Sequence, residues 1–122
     1  MNLNGEEFRE IYKDFKKGNF NNLYIIMDNS LYLVINELKN YDINDYLIRD
    51  SILFLVKAIM NYSYEKATTI DIFISKYIKL RIHQNDDIVE NDILDDEILF
   101  KYILEVKNNL IQECSIKTFS KK

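Results

Sequence analysis

The stretch NDYLIRDSILFLVKAIM, Asn44 to Met60, decides the fold class of this chain. Its apolar residues recur three and four positions apart, which places them on one face of an α-helix, and Leu53 and Phe54 widen that face. Asn44 is a favoured N-cap residue, so we expect a helix over residues 45–61. A helix that is apolar over so wide an arc either lies at the centre of a bundle or presents an adhesive face to a partner.

The same periodicity predicts four more helices along the 122-residue chain, over residues 6–17, 20–39, 69–83 and 96–113. Gly18 suits the end of the first helix, and the polar run at 28–30 could divide the second into two. The chain has no proline and only two glycines, whereas an antiparallel β fold would need turn glycines. The sequence therefore predicts an all-α protein, a compact bundle of four to five helices.

The composition favours a folded cytoplasmic protein without catalytic chemistry. Hydrophobic residues make up 48% of the chain, enough for a core. The N-terminus lacks the apolar run of a signal peptide, and no apolar stretch approaches the ~20 residues that span a bilayer. Because Cys114 and His83 are the only residues of their kinds, we expect no internal disulfide, no metal site and no nucleophile pair. We therefore expect no cofactor and no enzymatic activity.

The charge is unevenly distributed. Residues 1–83 carry eleven acidic and eleven basic residues, so the net charge of −4 lies wholly in residues 84–122. This pattern predicts a helical domain over 1–83, an acidic linker over 84–97, and a C-terminal helix and tail over 98–122. The last segment is either the remnant of a second domain or a helix packed on the first, and its tail from Cys114 is too short for another element.

The fourth predicted helix ends in cations, and two explanations stay open. Lys76, Lys79, Arg81 and His83 stabilise a helix C-terminus through its dipole, or they contact nucleic acid. The acid tract that follows, residues 86–97, lacks the glycine and the spacing of a calcium-binding loop around Asp86 and Asp92. It is either a solvated linker or a mimic of nucleic acid that binds a basic partner.

The order of these helices resembles region 2 of bacterial σ factors of the extracytoplasmic-function type. It resembles more closely the divergent clostridial σ factors that switch on toxin and bacteriocin genes. The similarity covers roughly residues 8–110. It lies in four segments: FKKGNFNNLYIIMDNSLYLVINEL, NDYLIRDSILFLVKAI, TIDIFISKYIKLRI and DDEILFKYILEVKNNL.

The resemblance implies that the chain binds core RNA polymerase and, second, promoter DNA. In the family, the helix matching 44–59 binds the clamp helices of the polymerase β′ subunit, and the next helix melts DNA and reads the −10 element. The polymerase-binding residues would then be Arg49, Asp50, Leu53, Phe54 and Lys57. The DNA-binding residues would be Phe73, Lys76, Tyr77, Lys79 and Arg81. An anti-σ or other protein partner is also compatible with the resemblance.

Two departures from the family pattern leave an alternative open. The acid tract stands where the family helix continues with arginines, and the C-terminal helix-turn-helix does not follow. The chain then corresponds to the polymerase-binding half, as a piece of a longer protein or as a shortened relative. The alternative is an acidic all-α protein-interaction module without DNA binding, such as a regulator or inhibitor from a phage or mobile element. A structural helical domain is a third hypothesis.

Overall fold

A computed structural model of the chain describes residues 2–65, 67–84 and 94–120, with side chains as far as Gln112. Within these ranges the chain forms α-helices and no strand. The helices are α1 (Glu6–Lys16), α2 (Asn22–Leu38), α3 (Asp45–Asn61), α4 (Ile70–Gln84) and α5 (Asp96–Ser120). The predicted all-α bundle of four to five helices is confirmed.

Local signals fix the ends of two helices. The Asn44 side chain accepts a hydrogen bond of 2.8 Å from the Leu47 amide, so the predicted cap of α3 is confirmed. After α1, Gly18 adopts a φ of 119°, a conformation that L side chains rarely adopt. Its amide donates to the Phe15 carbonyl at 3.0 Å, and the Asn19 amide donates to the Asp14 carbonyl at 3.1 Å. This pattern of hydrogen bonds ends α1 and directs the chain into α2.

α2 is one continuous helix through its polar run. The Ser30 hydroxyl donates to the Ile26 carbonyl at 2.6 Å, and the Asn29 amide group donates to the Ile25 carbonyl at 2.8 Å. Both polar side chains therefore find partners one turn back, and the helix does not divide. It begins two residues later than predicted, so Phe20, 67% exposed, lies outside it rather than on its apolar face.

α3 is the central helix of the bundle. It contacts α2, α4 and α5. Residues 51–56 are six consecutive buried residues, so this part of α3 is covered around its whole circumference. α1 packs against α2, and α4 packs against both α2 and α3. The wide apolar arc predicted for α3 is therefore used inside the protein.

α5 packs on α2 and α3 through a stripe of buried side chains: Leu99, Tyr102, Val106 and Leu110. Leu94, predicted to lie in the linker, is also buried, with 5% of its surface exposed. The helix continues to Ser120, through most of the tail that was predicted to lack an element. Of the predicted linker, Gln84 ends α4 and Asp96 begins α5, and residues 85–93 lie outside the described ranges.

Within the described ranges, no helix combines the length and the apolar character that crossing a membrane requires.

Candidate functional site

A charged edge remains open on α3, the central helix of the bundle. The Arg49 guanidinium lies 3.3 Å from the Asp50 carboxylate, and the two side chains are 29% and 32% exposed. Lys57, two turns further along the helix, is half-buried. Because both side chains are partly exposed, these charges are within reach of groups on a partner.

Two of the residues predicted to bind polymerase are buried. Leu53 is 1% exposed and Phe54 is 4% exposed, so neither side chain reaches the surface. The reason is that α2, α4 and α5 enclose α3 and cover its wide apolar arc. The candidate set on this helix is therefore reduced to Arg49, Asp50 and Lys57.

Tyr46, in the first turn of α3, is a surface residue that the sequence reasoning did not select. Its side chain is 79% exposed, next to the half-buried Leu47. The sequence did contain a signal for its exposure, because Tyr46 falls outside the apolar periodicity of the helix and a large aromatic residue at such a position faces solvent.

Three of the predicted DNA-binding residues contact one another along α4. Phe73 and Tyr77 are half-buried, with ring centroids 6.1 Å apart, and Phe73 lies 5.3 Å from the Tyr62 ring. Arg81 donates a hydrogen bond of 3.2 Å to the Tyr77 hydroxyl, and its guanidinium lies 5.1 Å from that ring. The aromatic pair therefore packs against the core, as its four-residue spacing indicates.

The other two, Lys76 and Lys79, are exposed and line a groove of about 350 Å³ between α2 and α4. Glu37 and Asp71 line the same groove. A hydrogen bond from the Thr69 hydroxyl is the main cause that lowers the pKa of the Asp71 carboxyl, so Asp71 is charged at neutral pH. Two ammonium groups thus face two carboxylates, and the groove is nearly balanced in charge.

His83, at the end of α4, contacts the chain between α2 and α3. The His83 Nε2 atom lies 3.2 Å from the Tyr41 hydroxyl, and the two rings are 5.9 Å apart. The Cys114 side chain lies outside the described part of the chain, so the structure does not place it relative to His83. Asp86 and Asp92 of the predicted acid tract also lie outside it.

A second basic surface lies on α1, a helix on which the sequence reasoning selected no site residue, and it includes Lys16 and Lys17. Together with Arg9 and Lys13, these residues line a cavity of about 570 Å³. Its other wall is formed by residues 62–65, between α3 and α4. The sequence did contain a signal for this surface. Lys13, Lys16 and Lys17 follow Arg9 by four, seven and eight positions, and residues at these spacings fall on one side of a helix.

Comparison of the chain with protein-family models, with curated proteins and with solved structures finds no match. The functional hypotheses below therefore rest on the geometry of these surfaces and on the resemblance described above.

Proposed function

We propose that this chain is a σ-like protein of transcription initiation or its regulation, which binds core RNA polymerase through the charged edge of α3. The observation that carries the proposal is the partly exposed Arg49–Asp50 pair, with a contact of 3.3 Å, on the central helix of the bundle. The helix order that resembles σ region 2 assigns polymerase binding to this helix. The partner surface is the β′ clamp helices, the compartment is the bacterial cytoplasm, and the chain has no catalytic role.

The charged edge suits a polar, reversible contact. A guanidinium recognises carboxylates with a planar fork of donors, and a carboxylate accepts from lysine or arginine in the same way. Lys57 extends the edge by two turns along α3. Because these groups are partly withdrawn from water, their interactions with a partner are stronger than those of fully exposed charges.

Promoter DNA is the second partner in this proposal. Lys76 and Lys79 are exposed and are the residues that would contact phosphates. Phe73 and Tyr77 would have to leave the core before their faces could stack on bases. Since Glu37 lines the same groove and repels phosphate, we expect DNA binding to be weak without polymerase.

The test is co-elution with bacterial core RNA polymerase from a low-GC organism on a size-exclusion column. The unmodified protein should co-elute at micromolar concentrations. Exchange of the two charges, by Arg49→Glu with Asp50→Arg, should abolish co-elution while the circular dichroism spectrum stays unchanged. The matched control is Lys101→Glu with Glu105→Lys, an exchange between exposed residues of α5 that keeps the net charge. Separate elution of the unmodified protein, or equal loss in both variants, would contradict the proposal.

A second candidate function is a protein-interaction module without DNA binding, and an exposed apolar stripe on α5 favours it. Phe100, Leu104 and Ile111 are 60%, 43% and 56% exposed, on the side of α5 away from its buried stripe. Exposed apolar side chains that recur along one helix face are typical of a docking surface. In that case Phe100→Ser with Ile111→Ser would abolish binding to a protein partner, and the exchange at Arg49 and Asp50 would not.

A further inference from the structure

The cavity between α1 and residues 62–65, called here the α1 cavity, has the size of a small-molecule site. Its volume is about 570 Å³, within the range typical of ligand pockets. It lies apart from the α3 edge and from the groove of Lys76 and Lys79, and neither the polymerase nor the DNA part of the proposed function uses it.

The wall of the α1 cavity formed by α1 is strongly basic. Four cations line the cavity, Arg9, Lys13, Lys16 and Lys17, against one lining carboxylate, Glu65. Lys13 also pairs with Glu10 at 3.6 Å, but both side chains are at least half exposed, so this pair is readily exchanged. Because of this excess of cations, the cavity is a local region of positive potential that attracts anions, although the chain as a whole is acidic.

Lys16 is a cation held in place at the floor of the cavity. Its ammonium donates a hydrogen bond of 2.5 Å to the Met60 carbonyl and lies 5.6 Å from the centre of the Tyr12 ring. Burial lowers the pKa of this ammonium group. Among the described residues Lys16 has no carboxylate as a partner, so an anion in the cavity would supply the counter-charge that the site lacks.

The floor of the α1 cavity is a fixed group of three tyrosines. The Tyr12 ring lies 5.8 Å from Tyr62 and 5.4 Å from Tyr64, and Tyr62 and Tyr64 are 5.2 Å apart, all in edge-to-face arrangements. The Tyr12 hydroxyl lies 2.6 Å from the carbonyl oxygens of both Ile59 and Tyr62, so these two acceptors share its single proton. This network holds the floor in place before any ligand arrives.

Two further features of Tyr64 belong to a recognition site. The Arg9 guanidinium lies 4.8 Å from the centre of the Tyr64 ring, which holds the planar cation above the aromatic floor. The Tyr64 hydroxyl is buried and has no hydrogen-bond partner within the described ranges. Buried hydroxyls are normally paired, and because this atom has almost no accessible surface, a ligand group pairs with it only after the Tyr64 side chain shifts to expose it.

We infer that the α1 cavity binds a small anion carrying two or more phosphate groups, such as a nucleoside triphosphate or inorganic triphosphate. Phosphates are the anions that clustered arginine and lysine side chains bind best, and four cations match a ligand with several negative charges. The four cations line one cavity and do not form the extended track that a nucleic acid backbone requires. A nucleoside triphosphate would add a base that stacks on the Arg9 guanidinium or the Tyr64 ring.

The experiment is isothermal titration calorimetry of the full chain with sodium triphosphate, ATP and, as a control for a simple anion, sodium sulfate. Triphosphate and ATP should bind, and sulfate at equal ionic strength should bind much more weakly. Arg9→Gln with Lys17→Gln should weaken binding by about tenfold or more, because two charge-assisted contacts are lost. Both of these side chains are exposed, so we expect the fold to survive, which circular dichroism checks.

The matched control is Lys76→Gln with Lys79→Gln, which removes the same charge from the other basic surface and should leave binding nearly unchanged. Equal affinity for triphosphate and ATP would mean that the cavity recognises the phosphates alone. Tighter binding of ATP would mean that it also contacts the base. Absence of heat with both ligands at millimolar concentration would overturn the inference. Equal loss in the two double variants, or retention of duplex DNA that only Arg9→Gln with Lys17→Gln removes, would overturn it as well.

Discussion

Tyr102 of α5 donates a hydrogen bond of 2.9 Å to the Asp28 carboxylate of α2, across 74 positions of sequence. The same hydroxyl lies 3.4 Å from the Tyr24 carbonyl, and Tyr102 is only 1% exposed. Burial, followed by the hydrogen bond and charge of Asp28, raises the pKa of the Tyr102 hydroxyl above its ordinary value. Apolar contacts alone allow a helix to slide by a turn, whereas this directed bond fixes the position of α5 on the bundle.

Tyr102→Phe removes this bond and keeps the ring. We expect the free energy of unfolding to fall by about 1–2 kcal/mol, because hydrogen bonds to charged groups contribute more than neutral ones. Urea denaturation followed by circular dichroism measures the change. Tyr46→Phe is the matched control, since that ring is 79% exposed and its loss of a hydroxyl should change nothing. Equal stability of the two variants would mean that the Asp28 contact does not hold α5.

The sequence predicted α3 well because its signals are local. A cap at Asn44 and a helical period of apolar residues define a helix over Asp45–Asn61, and the structure has the same bounds. Which part of its apolar arc stays exposed is not a local property. Leu53 and Phe54 are covered by helices distant in sequence, among them α5, and no periodicity within α3 indicates that.

The α1 cavity could be predicted only in part for the same reason. Spacing alone places the cations of α1 on one side of the helix. The tyrosine floor comes from residues 62–64, about fifty positions later, and depends on the bond from the Tyr12 hydroxyl to the Tyr62 carbonyl, which spans 50 residues. A long-range hydrogen bond of this kind leaves no mark in the local pattern of either segment.

Ser51 offers a test of an unpaired group at the centre of the bundle. Its side chain is fully buried in α3, and its hydroxyl has no hydrogen-bond partner in the described part of the chain. A buried, unpaired hydroxyl costs about 1–3 kcal/mol, so Ser51→Ala should leave stability unchanged or raise it. Ser30 is the matched control, because it is equally buried but bonded to Ile26, and Ser30→Ala should lower stability. A larger loss at Ser51 than at Ser30, measured as a fall in melting temperature, would contradict this account.

Alkaline pH should destabilise the protein through Tyr12. Burial, followed by the neighbouring Tyr64 and Tyr62, raises the pKa of the Tyr12 hydroxyl well above its ordinary value of 10.0. A tyrosine that ionises more readily in the unfolded chain contributes stability that is fully present below pH 10 and is lost as the pH rises above it. The free energy of unfolding should therefore fall between pH 10 and pH 11, the lower part of this window.

Tyr12→Phe checks that assignment, because the variant cannot ionise at this position. It should be less stable than the unmodified protein at pH 7, since the hydrogen bond that the hydroxyl shares between the Ile59 and Tyr62 carbonyls is lost. Above pH 10 its stability should fall less steeply with pH. Parallel urea titrations at several pH values measure both effects, and an unchanged slope would exclude Tyr12 as a source of the alkaline transition.

In the groove between α2 and α4, neutralising the lysines and neutralising a carboxylate should have opposite effects on DNA binding. Lys76→Gln with Lys79→Gln should weaken retention on a DNA column at low salt and reduce the slope of log affinity against log salt by about 2, at roughly 0.9 for each phosphate contact. Glu37→Gln should strengthen retention, because it removes a carboxylate from the same groove. Glutamine also keeps an oxygen that can accept the hydrogen bond of the Tyr41 hydroxyl, which donates to Glu37 at 2.9 Å, so the fold is preserved.

If all three proteins have the same salt dependence, any DNA binding lies elsewhere and α4 has no role in it. If the unmodified protein shows no retention and Glu37→Gln gains none, the σ-like proposal is limited to polymerase binding through α3.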